Sequence, residues 1–157
     1  MGMQINIGDH TSSEIGYIAF PPRHLETIRW ARKHAIWITA NKPTANTYFK
    51  SLPDRRSLTE ILADSSIWVN YHATMIHFGE TNAVSGREIA ISEQAFRIGR
   101  WTVLATLVHE LAHTNGAPDK PSTAAEEAVL ACGMGYNSEK TSGRDDTFTP
   151  YNPTIRG

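Results

Sequence analysis

The sequence predicts an α+β fold, and three observations carry that prediction. Candidate strands cluster between about residues 67 and 91, with helical periodicity on both sides. The most regular apolar spacing, Trp101, Leu104, Val108 and Leu111, belongs to a helix that starts soon after those strands. The 157 residues, 40% of them apolar and 20% charged, suit one domain around one core, so residues 1–157 are read as a single unit.

The elements follow in order. Residues 1–20 alternate weakly among turn formers and read as a short strand or arm. Pro21-Pro22 opens a helix from about Arg23 to His34, with Leu25, Ile28 and Ala31 or Arg32 at helical spacing. Ile36 to Thr39 extends that helix or forms a short strand. Asn41 to Pro53 reads as turn-rich, since Pro43 and Pro53 oppose a long regular element. Ser57 with Glu60 has the spacing of a capping box and starts a short helix to Asp64. Ile67–Tyr71 and Thr74–Phe78 are β-branched and aromatic runs, close enough for a hairpin, and Arg87–Ile91 alternates as a third strand. The strong helix spans Trp101 to Asn115 and is stopped by Gly116. Ser122 or Thr123 caps a last helix to about Cys132. The polar stretch 133–157 reads as a tail anchored by Phe148, Tyr151 and Ile155.

Composition excludes several functions. Fifteen basic residues against sixteen acidic ones leave a formal charge of −1, which argues against a nucleic-acid partner or an anionic membrane surface. No stretch approaches the ~20 apolar residues of a membrane span. The first ten residues lack the basic start and apolar core of a Sec signal, so the protein is expected to work in the cytoplasm of the producing cell or to leave it by a route that the sequence does not encode. One cysteine, Cys132, excludes an internal disulfide and reads as a small apolar helix residue.

The chemistry lies on the strong helix, in His109-Glu110-Leu-Ala-His113. Histidines four apart lie about 40° apart around a helix, so both imidazoles can reach one ion. Glu110 is displaced around the axis, beside the water that such an ion activates. Zinc brings the pKa of water to roughly 7, and a neighbouring carboxylate then takes its proton during attack on a carbonyl. The expected cofactor is one zinc ion, with His109 and His113 as ligands and Glu110 as general base. The competing reading is a solvated helix face, because the apolar stripe leaves His109 and His113 on the other side.

A zinc site needs a third protein ligand. Asp119 follows His113 by six residues; Glu126 and Glu127 stand on the next helix. Glu126 shares its direction with the bulky Val129 and Leu130, where a carboxylate is costly unless it is paired or ligating. Glu126 is therefore the expected third ligand, ahead of Asp119, which otherwise reads as a turn residue, and of Glu127, which points away among alanines. His72 and His77 flank the proposed hairpin turn and read as packed or solvated strand histidines, ahead of lining the cleft; as a fourth ligand either would favour a structural site. His10, His24 and His34 read as surface residues, and the four tryptophans as packing. Tyr136 and Tyr151 are candidates for stabilising an oxyanion.

Ala105-Thr-Leu-Val-His-Glu-Leu-Ala-His113 resembles the active-site helix of the zincin metallopeptidases. The run from His109 to Asp119 resembles the extended metzincin pattern, with Gly116 turning the chain under the metal; Glu126 resembles the gluzincin alternative. His109 to Cys132, together with Tyr151 to Gly157, is similar to compact metallopeptidase domains of bacterial polymorphic toxins and type VI secretion effectors. Position 119 holds Asp where most metzincins have His, Met134 follows a helix directly, and the Gly-Thr-x-x-Asp element of aspzincins is absent. The resemblance implies a zincin-like fold, with a small mixed sheet packed on the active-site helix, a following ligand helix, and a substrate strand along the sheet edge. It implies a zinc peptidase acting on a protein or peptide, an immunity protein as partner, and delivery to a target cell by a specialised secretion system. The alternatives are a cell-wall peptide amidase or endopeptidase, and a metal-stabilised binding domain without turnover.

Overall fold

The computed structural model describes residues 2–134, and within them the chain is mixed α+β, with a four-stranded sheet and six helices. The expected tail, with Phe148, Tyr136, Tyr151 and Ile155, lies outside the described residues. Strand β1 (Gln4–Ile5) leads through an arm to helix α1 (Pro22–Asn41). Pro22 stands at the first helical position, where its missing N–H costs nothing. Ile28, Ala31, Ala35 and Ile38 form the buried stripe, so Ile36 to Thr39 continue the helix.

Helix α2 (Pro43–Lys50) occupies the segment expected to be turn-rich. Pro43 opens it in the same way as Pro22 opens α1, and Ala45 and Phe49 pack its inner side. Helix α3 (Leu58–Leu62) begins with the expected capping box: Ser57 accepts from the Glu60 N–H, and Glu60 accepts from that of Ser57.

Strand β2 (Trp68–His72) does not form the expected hairpin. It pairs in parallel with β1 on one side and with β4 (Glu88–Ser92) on the other. The intervening strand, β3 (Gly79–Thr81), turns back antiparallel onto β4 and closes the sheet in the order β1-β2-β4-β3. Thr74–Phe78 is spent on the connection, where the N–H groups of Thr74 and Met75 donate to Nδ1 of His72. Apolar runs specify burial, whereas strand order is settled by which neighbour covers each face.

Val69, Tyr71, Ile89 and Ile91 point into the core, and Asn70 and Ala90 to the opposite face. There Asn70 is buried, accepting from Asn6 and donating to Glu88 and to the carbonyl of Ile89. His10 stacks on Trp68 and pairs with Glu88. His24 pairs with Glu93 and stacks on Phe96. Neither is the free surface residue expected. Glu93 also accepts from Tyr71 and Arg23, and these partners, the Tyr71 hydroxyl foremost, pull its carboxyl down to about 2.

Glu93 opens a helix not foreseen from sequence, α4 (Glu93–Ile98), which leads directly into α5 (Arg100–Thr114). Helix α5 is the centre of the molecule, packed on α1, α4, β3, β4 and the last helix, α6 (Thr123–Ala131). All but three of its residues are buried, including Glu110 and His113 at 3% and 5% exposure. The solvated-face reading of the histidines therefore does not hold: a one-sided apolar stripe does not reveal that α6 and β3 cover the other side.

The end of α5 is a Schellman turn: Ala117 N donates to Ala112 O and Gly116 N to His113 O. Gly116 adopts φ +91, and a Cβ there would lie 2.9 Å from Pro53, so conformation and space both call for glycine. Beside it the fully buried Asn115 donates to the carbonyls of Phe49 and Arg56 at 2.8 Å each and accepts from the Arg56 N–H. Asn115→Ala strands those groups and is expected to lower stability by about 2–4 kcal/mol in urea unfolding. An unchanged midpoint would show that other contacts hold the 49–56 loop.

No helix among the described residues is long and apolar enough to cross a membrane.

Candidate metal centre and cleft

His109 and His113 stand one turn apart on α5, and their Nε2 atoms are 3.2 Å from each other. Each ring is oriented from its far side. Nδ1 of His113 is 2.9 Å from the carbonyl oxygen of Ala117, so it carries the hydrogen and Nε2 carries the lone pair. The Schellman turn thus aims His113 as well as ending the helix. Nδ1 of His109 faces Oε1 of Glu126 at 3.5 Å, which favours the same tautomer. Two lone-pair nitrogens then stand 3.2 Å apart, an arrangement that a shared cation stabilises. Two nitrogens bound to one tetrahedral zinc lie about 3.3 Å apart. The donor pair fits zinc in both chemistry and separation.

The carboxylates take different places. Glu126 lies on the Nδ1 edge of His109, its side chain 17% exposed. Its helix packs through Ala125, Ala128 and Val129, while Leu130, expected beside Glu126 on the packed face, is half exposed. Glu127 is exposed and meets the hydroxyl of Tyr48, away from the histidines. Asp119 lines the cleft that contains His109, Glu110 and His113. Among the described residues no three His, Cys, Asp or Glu side chains close into a complete metal-binding group. The structure brings the two nitrogens together, with Asp119 in the cleft and Glu126 behind His109.

Glu110 lies beside the pair, with Oε2 4.0 Å from Nε2 of His109. Strand β3 holds it: the Thr81 hydroxyl is 2.8 Å from Oε1 and 3.1 Å from the Glu110 carbonyl. A Cβ on Gly79 would stand 2.5 Å from Cγ2 of Thr106 and 3.2 Å from Cγ of Glu110, so the close passage of β3 over α5 depends on glycine. Burial pushes the Glu110 carboxyl up to about 8; the Thr81 hydrogen bond opposes this, and the charges of Asp119, Glu80 and Glu126 add to it. Thr81 and Gly79 carry no sequence signal of their own, because their role depends on the strand crossing the helix.

The cleft measures about 530 Å³. Its strand side is lined by Gly79, Glu80 and Thr81, with His77 before them. His72 is elsewhere, its ring packed against Gly16 and its Nδ1 closing the turn after β2. Beyond β3, the Ser85 N–H donates to the carbonyl of His113 and ties the loop to the end of α5. Cys132 is buried at the end of α6, where desolvation pushes its thiol up to about 12, as suits a packing residue.

Comparison of the chain with protein-family models, with curated proteins and with solved structures gives no match.

Proposed function

We propose that the protein is a zinc-dependent hydrolase of peptide or amide bonds. The observation that supports this most is the convergence of the His109 and His113 Nε2 atoms, both rings oriented from behind, at the wall of an open cleft. A purely structural zinc would be enclosed by four protein ligands, whereas this pair faces a space large enough for a substrate segment.

His109 and His113 would hold the ion. For the third position the cleft-lining Asp119 is favoured over Glu126, which stands behind His109 and orients it. When bound, zinc supplies a Lewis acid that polarises a carbonyl and makes water nucleophilic near neutral pH. Glu110 takes the proton from the attacking water and returns it to the leaving nitrogen. A buried carboxyl pushed up towards neutrality suits both halves of that transfer. Thr81 keeps the carboxylate aimed during the exchange.

Strand β3 supplies the substrate track. The residues flanking it, Phe78 and Asn82, bond inward to Ser92 and Glu88, so by alternation the backbone groups of Gly79 and Thr81 turn outward along the cleft. An extended substrate can add to that edge as a further strand.

The zinc-reconstituted protein is expected to generate new amino termini from an unfolded protein substrate, and to stop when zinc is chelated. No cleavage of unfolded proteins or short amides, with zinc bound at one equivalent, would leave a metal-stabilised binding domain instead.

A further inference from the structure

We infer that Glu80 makes the β3 edge selective for extended segments carrying a basic side chain. The inference rests on the reading of β3 as the substrate track and names the class of substrate it takes.

The register of the sheet places Glu80. Asn70, Ala90 and Glu80 lie in one row across β2, β4 and β3, on the face turned away from α5. Gly79 and Thr81, across from Ile91 and Ile89, take the other face against α5. An added strand bonded to the backbone of Gly79 and Thr81 extends the row by one place. The residue in that place sits directly across from Glu80, in the closer, non-hydrogen-bonded kind of antiparallel pair, with Cβ atoms about 4.5 Å apart.

Glu80 is held ready for that neighbour. The hydroxyl of Tyr17 donates to its Oε1 at 2.7 Å, and Tyr17 itself is buried at 5% exposure in the arm before α1. The Tyr17 hydroxyl is pushed well up, by burial first and then by Glu80, so it remains a donor. A carboxylate already fixed by one hydrogen bond loses little further freedom when a cation arrives. Glu80 is the one carboxylate among the strand residues that line the cleft; Asp119 and Lys120 belong to the loop after α5. Opposite charges directly across a strand pair attract and like charges repel, so this position accepts Lys or Arg and rejects Asp or Glu.

The test uses two fluorescent peptides, one alternating valine with lysine and one alternating valine with glutamate, so that one face of either is uniformly charged in any register. Fluorescence anisotropy measures their binding to the metal-free protein, and hydrolysis of the same peptides is followed with zinc. The lysine peptide is expected to bind at least about tenfold more tightly. Glu80→Gln should remove the difference and Glu80→Lys reverse it, whereas Glu127→Lys, an equal charge change on the far side of α6, should leave it in place. Tyr17→Phe should narrow the difference without reversing it. Equal binding of both peptides, weak binding of both, or a preference that Glu127→Lys removes as fully as Glu80→Lys overturns the inference. A preference that follows Glu80 without any hydrolysis leaves the inference standing and removes the hydrolase reading; hydrolysis of both peptides without preference does the opposite.

Discussion

Glu110→Gln is expected to leave one zinc bound per chain and to cut hydrolysis by about 10²–10⁴-fold. The amide keeps the size of the carboxyl and can still meet the Thr81 hydroxyl, so the 3% exposed site stays filled. What it loses is the ability to accept a proton from water and return it to the leaving nitrogen. Zinc analysis and circular dichroism should match the wild type, while kcat falls. Turnover within a few-fold of wild type would remove Glu110 from proton transfer, whatever its position beside His109.

The second large effect concerns the metal itself. His109→Ala with His113→Ala should abolish stoichiometric zinc binding, because the facing Nε2 atoms are the donors that the fold has already brought together. The two carboxylates separate by magnitude. An orienting carboxylate behind a ligating histidine is worth about 10–100-fold in metal affinity, and a ligand is worth more. Glu126→Gln should therefore weaken zinc by about 10–100-fold, and Asp119→Ala by more than about 100-fold. Competition with a chromophoric chelator ranks them. If Glu126→Gln releases zinc while Asp119→Ala keeps it, α6 swings its carboxylate around His109, and the ligand set is His109, His113 and Glu126. Glu127→Ala is the control, since its side chain meets Tyr48.

Much of the local structure was legible because it depends on neighbours in the chain. The capping box at Ser57 and Glu60, the Gly116 stop, the proline start of α1 and the span of α5 each need only a few consecutive residues. Helix α2 stands where Pro43 suggests a break, because a first-turn proline breaks nothing. The expected hairpin between residues 67 and 78 does not form for another reason: β-branched runs mark strands without naming their partners.

The candidate site divides along the same line. The i, i+4 spacing of His109 and His113, and the displacement of Glu110 between them, follow from helix geometry alone, so the sequence was sufficient to place three side chains on one helix. Everything that makes them a site comes from elements distant in the chain. Thr81 reaches Glu110 across 29 positions, Glu126 reaches His109 from the next helix, and β3 passes close enough only because Gly79 carries no side chain. The burial of most of α5, the 3.2 Å approach of the two Nε2 atoms and the separate places of Asp119 and Glu126 were decided by tertiary packing. Periodicity records which face of an element avoids water, whereas the identity of the group that covers it is fixed only when the whole chain has closed around its core.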